Sequence, residues 1–398
     1  MTLGKDGSVE LSGGNRPSFS LITILLFWCA LIVVSSVYVT TPLASGFVAE
    51  FHITKTMAAW TTSIFSFFYA CGFIIFSPLS DRYGRKRVIL SGLYILTLVT
   101  FLIGLTDQFY WLVILRGIQG LVAATFAPTA VAYVFDIFPK NRQVTTIGFI
   151  SFGFLTAGIF GQVFAGAIDQ FFGWNMVFLC FGGMYLCTII AVTLFLPKTG
   201  KHTSKINIHY FLRQTKRIFI QKNFLLCYII TLVLLLTFIG MYTALGDLMS
   251  QNLNLTKQDG LFVRTSGLLG MLLSLFAGVL VKKYGLLPIL KMGLGTAVGA
   301  LFSLGFSSNI TFVVSMSVFF VAGISVTFPA IMTLIGELGG DNRAIAASYY
   351  ACILFIGATI GPIITITLMQ AGSYVLTFGV LAFLLAIGYT AAFFIKHE

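Results

Sequence analysis

The chain has 398 residues, of which 58% are hydrophobic, 15% aromatic and only 9% charged, with a formal net charge of +12. This composition excludes an ordinary soluble domain. The sequence shows no phosphate-binding loop ending in Lys-Ser or Lys-Thr, no catalytic dyad and no metal-ligand spacing, which disfavours an ATP-driven pump or a membrane enzyme. We therefore expect neither a cofactor nor a metal.

Twelve apolar segments are long enough to cross a bilayer. A span needs about 20 mostly apolar residues, because a helix satisfies its own backbone hydrogen bonds within hydrocarbon. The predicted spans are 20–43, 56–79, 88–106, 110–135, 144–168, 175–196, 223–246, 260–281, 287–306, 310–335, 344–369 and 375–395. They predict an all-α polytopic membrane protein with a tail (1–19), a six-helix bundle (20–196), a linker (197–222) and a second six-helix bundle (223–398).

The basic residues fall mainly on one side of these spans. With the N-terminus in the cytoplasm, about 20 of the 24 Lys and Arg residues are cytoplasmic. This positive-inside distribution predicts a multi-pass protein of the cell membrane with both termini cytoplasmic. The net charge therefore reports topology, and no nucleic-acid partner is expected. The basic linker suits either an amphipathic segment on the inner membrane surface or a solvated connection.

The loop between the second and third spans, residues 80–87, is the most densely charged part of the chain, with four cations and one carboxylate. Acidic and basic side chains at neighbouring helix ends can pair when an inner gate closes and separate when it opens. We predict such a latch, hereafter the gating latch, and the alternative interpretation is that the basic residues of the loop only anchor topology. Its predicted members are Asp81, Arg82, Gly84, Arg85, Asp136, Arg142 and Arg343.

The fourth span carries a cation within the membrane. Arg116 lies six residues into this span, where a charge is costly unless it faces a partner or a watery cavity. Helical spacing places Gln119 on the same stripe. Two interpretations stay open, namely a cavity wall formed by Arg116 and Gln119, or an arginine satisfied by carbonyls of neighbouring helices.

Other spans offer polar side chains for a substrate cavity. Tyr38 lies in the first span and Tyr69 in the second, and Tyr242 and Asp247 lie in the seventh. The eighth span adds Arg264. Asp247 is the candidate for proton coupling, and a solvated helix end is an equally good interpretation of it.

The two halves of the chain repeat each other. An offset of 201 residues pairs Gly84 with Gly285, Pro128 with Pro329, Asp136 with Glu337 and Arg142 with Arg343, and an offset of 200 pairs Gly161 with Gly361. Six spans per half give parallel repeats about an axis normal to the membrane, with the substrate bound near the midplane. We therefore expect two bundles related by pseudo-two-fold symmetry.

Three motifs resemble those of a known family. Residues 72–90 resemble the signature between helices 2 and 3 of the major facilitator superfamily, and residues 111–120 resemble the helix 4 signature of its drug:proton antiporter branch. The antiporter motif of that branch is resembled by Gly153, Ala157 and Gly161 in the fifth span and by Gly357, Gly361 and Pro362 in the eleventh. The resemblance implies the major facilitator fold, a functional monomer and a gating role for Asp81. The fifth-span stripe is equally consistent with a static packing seam.

The chain departs from that branch because it has no acidic residue in the first or fourth span. A cavity holding Arg116 and Arg264 would have a positive potential that favours anionic or zwitterionic substrates, such as amino-acid-like compounds or opine-type metallophores. The expected function is secondary active export of a small molecule by alternating access, with proton antiport. A multidrug efflux pump conferring antibiotic resistance and a proton-coupled uptake symporter are the alternatives.

Overall fold

The computed structural model describes residues 18–198, 208–251, 266–306, 309–370 and 373–395. Within these ranges the chain is helical and contains no strand, which confirms the predicted fold class. The helices of the first half are α1 (Phe19–Tyr38), α2 (Thr40–Phe51), α3 (Lys55–Tyr83), α4 (Arg85–Gly104), α5 (Phe109–Ala123), α6 (Ala127–Ile137), α7 (Lys140–Phe172) and α8 (Trp174–Phe195).

A short helix, α9 (Ile208–Ile220), lies in the predicted linker and precedes the second half. The second half comprises α10 (Lys222–Gln251), α11 (described over Ser266–Tyr284), α12 (Leu286–Leu304), α13 (Ile310–Gly339), α14 (Arg343–Gln370) and α15 (Tyr374–Phe393). Helix α11 narrows to a 3-10 segment over Leu272–Phe276.

The helices account for the predicted spans. In the described chain, 11 helices are long and apolar enough to cross a membrane, and α3 adds the shorter apolar stretch Trp60–Phe76. Helices α5 and α6 together form the fourth span. The break between them precedes Pro128, which has no backbone N–H to donate to the preceding turn. The protein is thus a multi-pass membrane protein.

Within each half, glycines allow two helices to pack backbone to backbone. In the first half, Gly153 and Gly161 of α7 lie against the backbone of α1 at Phe27 and Ser35. In the second half, Gly357 and Gly361 of α14 lie against the backbone of α10. A side chain at these positions would collide with backbone atoms, so the glycines set the close approach.

The two halves also repeat a sharp turn between helices. Gly84 ends α3 with φ 91° and ψ 137°, and Gly285 ends α11 with φ 88° and ψ 163°. Residues with a Cβ are strained at such positive φ values, so glycine is required at both turns. We call the side of the membrane on which these two turns lie the Gly84 side.

The halves contact each other toward the Gly84 side. Gly148 of α7 lies against the backbone of Ser274 in α11, and Gly336 of α13 lies against the ring of Phe135 in α6. Helix α3 also packs on α14. These contacts bring α3, α6 and α7 of the first half against α11, α13 and α14 of the second.

Candidate functional site

A cavity of about 280 Å³ lies between the two halves. Helices α1, α2, α3, α6 and α7 line it from the first half, and α10, α11, α13 and α14 line it from the second. Three of the predicted residues, Tyr38, Tyr69 and Tyr242, lie in its wall. None of the described lining residues carries a charge, so the cavity offers apolar surface with a few hydroxyl and amide groups.

Tyr69 joins the two halves at this cavity. Its ring lies 4.4 Å from that of Phe73 in α3 and 4.8 Å from that of Phe355 in α14, measured between ring centroids. The side chain is buried, and its hydroxyl has no hydrogen-bond partner in the described chain. Since an unmade buried hydrogen bond costs about 1–3 kcal/mol, this hydroxyl is poised to bond an added acceptor.

Arg116 does not line the cavity, which corrects the prediction for this residue and for Gln119. Its Nε donates to the Thr61 carbonyl and its Nη1 to the Ser36 carbonyl, both at 3.0 Å. Nη1 also donates to Gln119 Oε1 at 2.6 Å, and the guanidinium lies over the Phe65 ring, 4.2 Å from its centroid. Helical spacing placed both residues on one stripe, but that stripe faces α1 and α3 within the first half.

No carboxylate pairs with Arg116 in any ion pair of the described chain. The side chain is 0% exposed, and Nη2 lacks a partner among the described residues. Gln119 Nε2 in turn donates to Thr100 Oγ1 of α4 at 2.7 Å. Arg116 therefore connects α1, α3, α4 and α5 by carbonyl, amide and ring contacts, as the alternative interpretation expected.

Four predicted members of the gating latch lie together on the Gly84 side. Arg85 forms an ion pair with Asp81 through Nη2, and its Nε lies 3.1 Å from Asp136 Oδ2. Its Nη1 donates to Ser80 Oγ at 2.6 Å. Arg343 of the second half reaches the same carboxylate, with Nη1 3.8 Å from Asp136 Oδ1. Asp136 thus connects a buried arginine of its own half to an arginine of the other half.

Two predicted latch arginines lie outside this cluster, which corrects their assignment. Arg82 is exposed and lies over the ring of its neighbour Tyr83, and Arg142 lies over the Phe19 ring at the start of α1. Gly84 takes part only through its backbone, since it forms the turn and its N–H donates to the Ser80 carbonyl at 3.1 Å.

Comparison with known proteins assigns the family. The family model of the Major Facilitator Superfamily matches residues 26–342. The chain belongs to the Major Facilitator Superfamily. It is 24% identical over 359 residues to the uncharacterized MFS-type transporter YybF of Bacillus subtilis, covering 87% of this chain and 86% of YybF. The chain is therefore a membrane transporter of the MFS type.

Two further proteins are similar to this chain, one over a segment of the sequence and one in its fold. Multidrug resistance protein 3 of Bacillus subtilis is 31% identical over 120 residues, which is 30% of this chain and 23% of that protein. The crystal structure of the human organic anion transporter MFSD10 (TETRAN) is similar over 95% of this chain and 100% of that chain, with a TM-score of 0.77 and 14% identity. This last likeness shows the fold alone.

In this superfamily member the glycine motifs lie inside each half. Gly153, Ala157 and Gly161 face α1, where Ser35 Oγ donates to the Ala157 carbonyl at 3.2 Å. Gly357 and Gly361 face α10. The two seams are equivalent packing contacts within the halves, so their link to antiport stays a prediction.

The structure does not describe the side chains of three predicted residues. Asp247 belongs to α10, and Pro362 to α14, but their side chains are not described. Arg264 lies in the segment 252–265, outside the described residues. Their predicted roles in the cavity, in proton coupling and in the antiporter motif stay predictions.

Sequence reasoning missed several residues that line the cavity or lie next to it on the Gly84 side. Phe355 and Tyr350 of α14 line the cavity, and their aromatic spacing along the eleventh span was the available signal. Ser151 and Thr333 are buried, and their hydroxyls have no partner in the described chain. Both lie on the Gly84 side of lining residues, beneath Leu155 and Met332 respectively. No sequence signal distinguished them from other serines and threonines.

Proposed function

We propose that this transporter exports a small organic molecule across the cell membrane by alternating access. The observation that carries the proposal is the cavity between the halves, beneath which the halves meet on the Gly84 side. The ion pairs around Asp136 join both halves at that end. Breaking them would open the cavity toward the Gly84 side, as alternating access requires.

We propose that the substrate is largely apolar, with a hydrogen-bond acceptor. The described lining is aliphatic and aromatic, and its polar groups include Gln162 and the hydroxyls of Tyr38 and Tyr69. An anionic or zwitterionic metabolite was expected because Arg116 and Arg264 were placed in the cavity, and the support from Arg116 is lost. A drug-like substrate, and hence multidrug efflux, fits this lining better, and the similarity of one segment to Multidrug resistance protein 3 is consistent with it.

Proton antiport is the proposed coupling, with Asp247 as the candidate proton carrier. The distribution of Lys and Arg supports an orientation in which the Gly84 side faces the cytoplasm, with both termini cytoplasmic. The cavity lies within one chain, so we propose that a monomer is sufficient for transport.

The test is flux in proteoliposomes with an imposed pH gradient. Apolar neutral, anionic and cationic aromatic compounds of similar size are compared. We expect proton-driven flux of the neutral compound to exceed that of the anion by about tenfold or more, with a smaller flux in Tyr69→Phe because one hydrogen-bond donor is lost. A preference for the anion would instead support the anionic or zwitterionic substrate expected from the sequence. A flux that is the same with and without the pH gradient would contradict proton antiport.

A further inference from the structure

Helix α9 presents two different faces. One face is docked on the second half, where Thr215 Oγ1 lies 3.0 Å from Tyr349 Oη of α14. Ile218 on this face is buried, and the ring of Phe219 meets the ring of Tyr349 edge to face at 5.0 Å. The docked face therefore fixes the position of α9 against the transporter.

The other face of α9 is basic and exposed. Arg213, Lys216 and Arg217 are all exposed and follow one another at helical spacing. They enter none of the ion pairs in the described chain, and Ile208–Ile220 contains no acidic residue. Beside them Ile220 is 70% exposed, although it is a large apolar side chain. We call Arg213, Lys216, Arg217 and Ile220 the basic face.

The basic face lies where the chain enters the membrane. Helix α9 ends at Ile220 and the spanning helix α10 begins at Lys222. A helix directly before a spanning helix lies near the headgroup layer of the membrane. There, anionic lipids attract its cations, and the acyl chains accept its exposed apolar side chains.

We propose that the basic face of α9 binds the headgroups of anionic phospholipids on the Gly84 side of the membrane. An acidic soluble protein would match the three cations but would leave Ile220 without a hydrophobic environment, so a lipid surface fits the whole face. The snorkelling of long basic side chains from an interfacial helix allows the charges and Ile220 to be accommodated together.

The docked face connects this lipid site to the gating latch. Asn342 Nδ2 donates to Gln214 Oε1 of α9 at 3.2 Å. Asn342 directly precedes Arg343, which reaches Asp136 of the first half. A helix held at the membrane surface thus holds the segment that carries the latch arginine. This step depends on the proposed gating, and it implies that anionic lipid favours the closed state on the Gly84 side.

Lipid binding is tested by native mass spectrometry of the full-length protein with phosphatidylglycerol or phosphatidylcholine. We expect the wild-type protein to retain phosphatidylglycerol at about tenfold lower lipid concentration, and high salt to remove this preference. R213Q/K216Q/R217Q should lose the preference. K282Q/K283Q, which removes two cations from another helix end on the same side, is the matched control and should keep it.

Several results would overturn the lipid site. These are an unchanged preference in R213Q/K216Q/R217Q, an equal loss in K282Q/K283Q, or a preference in the wild-type protein that is insensitive to salt. The salt titration needs no variant, so the proposal stays testable even where R213Q/K216Q/R217Q fails to fold. None of these measurements depends on transport, so they are independent of the proposed function.

The connection to the latch is tested separately by labelling Ser151→Cys with a water-soluble thiol reagent, in a background whose six native cysteines are replaced. Ser151 is buried below the cavity on the Gly84 side. We expect labelling several-fold slower in phosphatidylglycerol nanodiscs than in phosphatidylcholine nanodiscs. Gln214→Ala should abolish the difference while lipid retention persists. A difference that survives in Gln214→Ala would show that the coupling does not pass through Asn342.

Discussion

The two halves of this transporter share a backbone turn but not its charges. Gly84 and Gly285 occupy equivalent positions 201 residues apart and have nearly the same φ, 91° and 88°. Around Gly84 stand Asp81 and Arg85, whereas Lys282 and Leu286 occupy the equivalent positions of the second half. The repeat has therefore kept the geometry of the turn, and the acid–base pair beside it, Asp81 with Arg85, is present in the first half but not at the equivalent positions of the second.

The same contrast holds within the membrane. Arg116 is fully buried in the first half, and at the same offset the second half has Ser317. Ser317 Oγ donates to the Val314 carbonyl of its own helix at 2.7 Å, so it makes no connection between helices. At this position the first half thus carries a charged internal contact where the second half has a serine, and paired substitutions at equivalent positions can measure what the charge contributes.

The largest effect is expected at Arg116. Arg116→Ala leaves a cavity between α1, α3 and α5 and removes the donor to Gln119, so we expect the free energy of unfolding to fall by about 2–4 kcal/mol. Ser317→Ala should change it by less than about 1 kcal/mol, because only a bond within one helix is lost. Thermal unfolding in detergent measures both.

Arg116→Lys sharpens this comparison. Lysine keeps the charge but cannot reproduce a planar fork that reaches two carbonyls and an amide, so little of the lost stability should return. A fully stable Arg116→Ala protein that fails only in transport would contradict the structural role and favour a cavity role instead.

The glycine turns should respond alike. Gly84→Ala and Gly285→Ala each place a Cβ on a residue with positive φ, at a cost of about 1–3 kcal/mol. Gly183→Ala is the control, since it lies within α8 with no atom within 4 Å of an added Cβ, and it should be neutral or slightly stabilising. Unequal effects at the two turns, measured by the same unfolding assay, would show that the repeat is not equivalent in energy.

Asp136→Asn tests the charge that joins the halves. The substitution weakens the bond from Arg85 and the ion pair to Arg343, while Arg85 keeps Asp81 and Ser80. We expect the closed state to lose about 1–2 kcal/mol, seen as faster thiol labelling of Ser151→Cys by about fivefold to thirtyfold. Asp107→Asn, an exposed acid at the opposite membrane face, should leave labelling unchanged. Equal labelling in Asp136→Asn and the parent would contradict a gating role.

Sequence reasoning reached the spans and the proximity of four of the charged residues assigned to the gating latch, because each has a local signal. Apolar length predicts a span, and charges at helix ends predict a cluster. Arg116 was misplaced because its partners are the backbone carbonyls of Ser36 and Thr61. Every residue has a carbonyl, so the sequence cannot indicate which carbonyls of α1 and α3 approach α5.

Helix α9 was undecided for a related reason. Its composition is equally compatible with a solvated linker, and its docking depends on Tyr349 and Asn342, which lie more than 120 residues away in the sequence. The cavity tyrosines were identified by residue type and span, but the shared environment of Tyr69, Phe73 and Phe355 follows only from the packing of α3 on α14.

The smallest effect is expected where the two halves are most alike in sequence. Arg142 and Arg343 are equivalent, yet Arg142 lies over Phe19, while at the offset of Phe19 the second half has Ile220, which offers no ring. Arg343 lies instead over the Phe135 ring of the first half, with its Nη1 3.8 Å from Asp136 Oδ1 and 29% of its side chain exposed. A partly exposed pair of this kind contributes about 0.2–1 kcal/mol. Arg343→Gln should thus speed labelling of Ser151→Cys by less than about fivefold, and Arg142→Gln should have no effect on it. If Arg142→Gln sped the labelling as much as Arg343→Gln, Arg142 would belong to the gating latch, and the equivalent arginines of the two halves would contribute equally to the closed state.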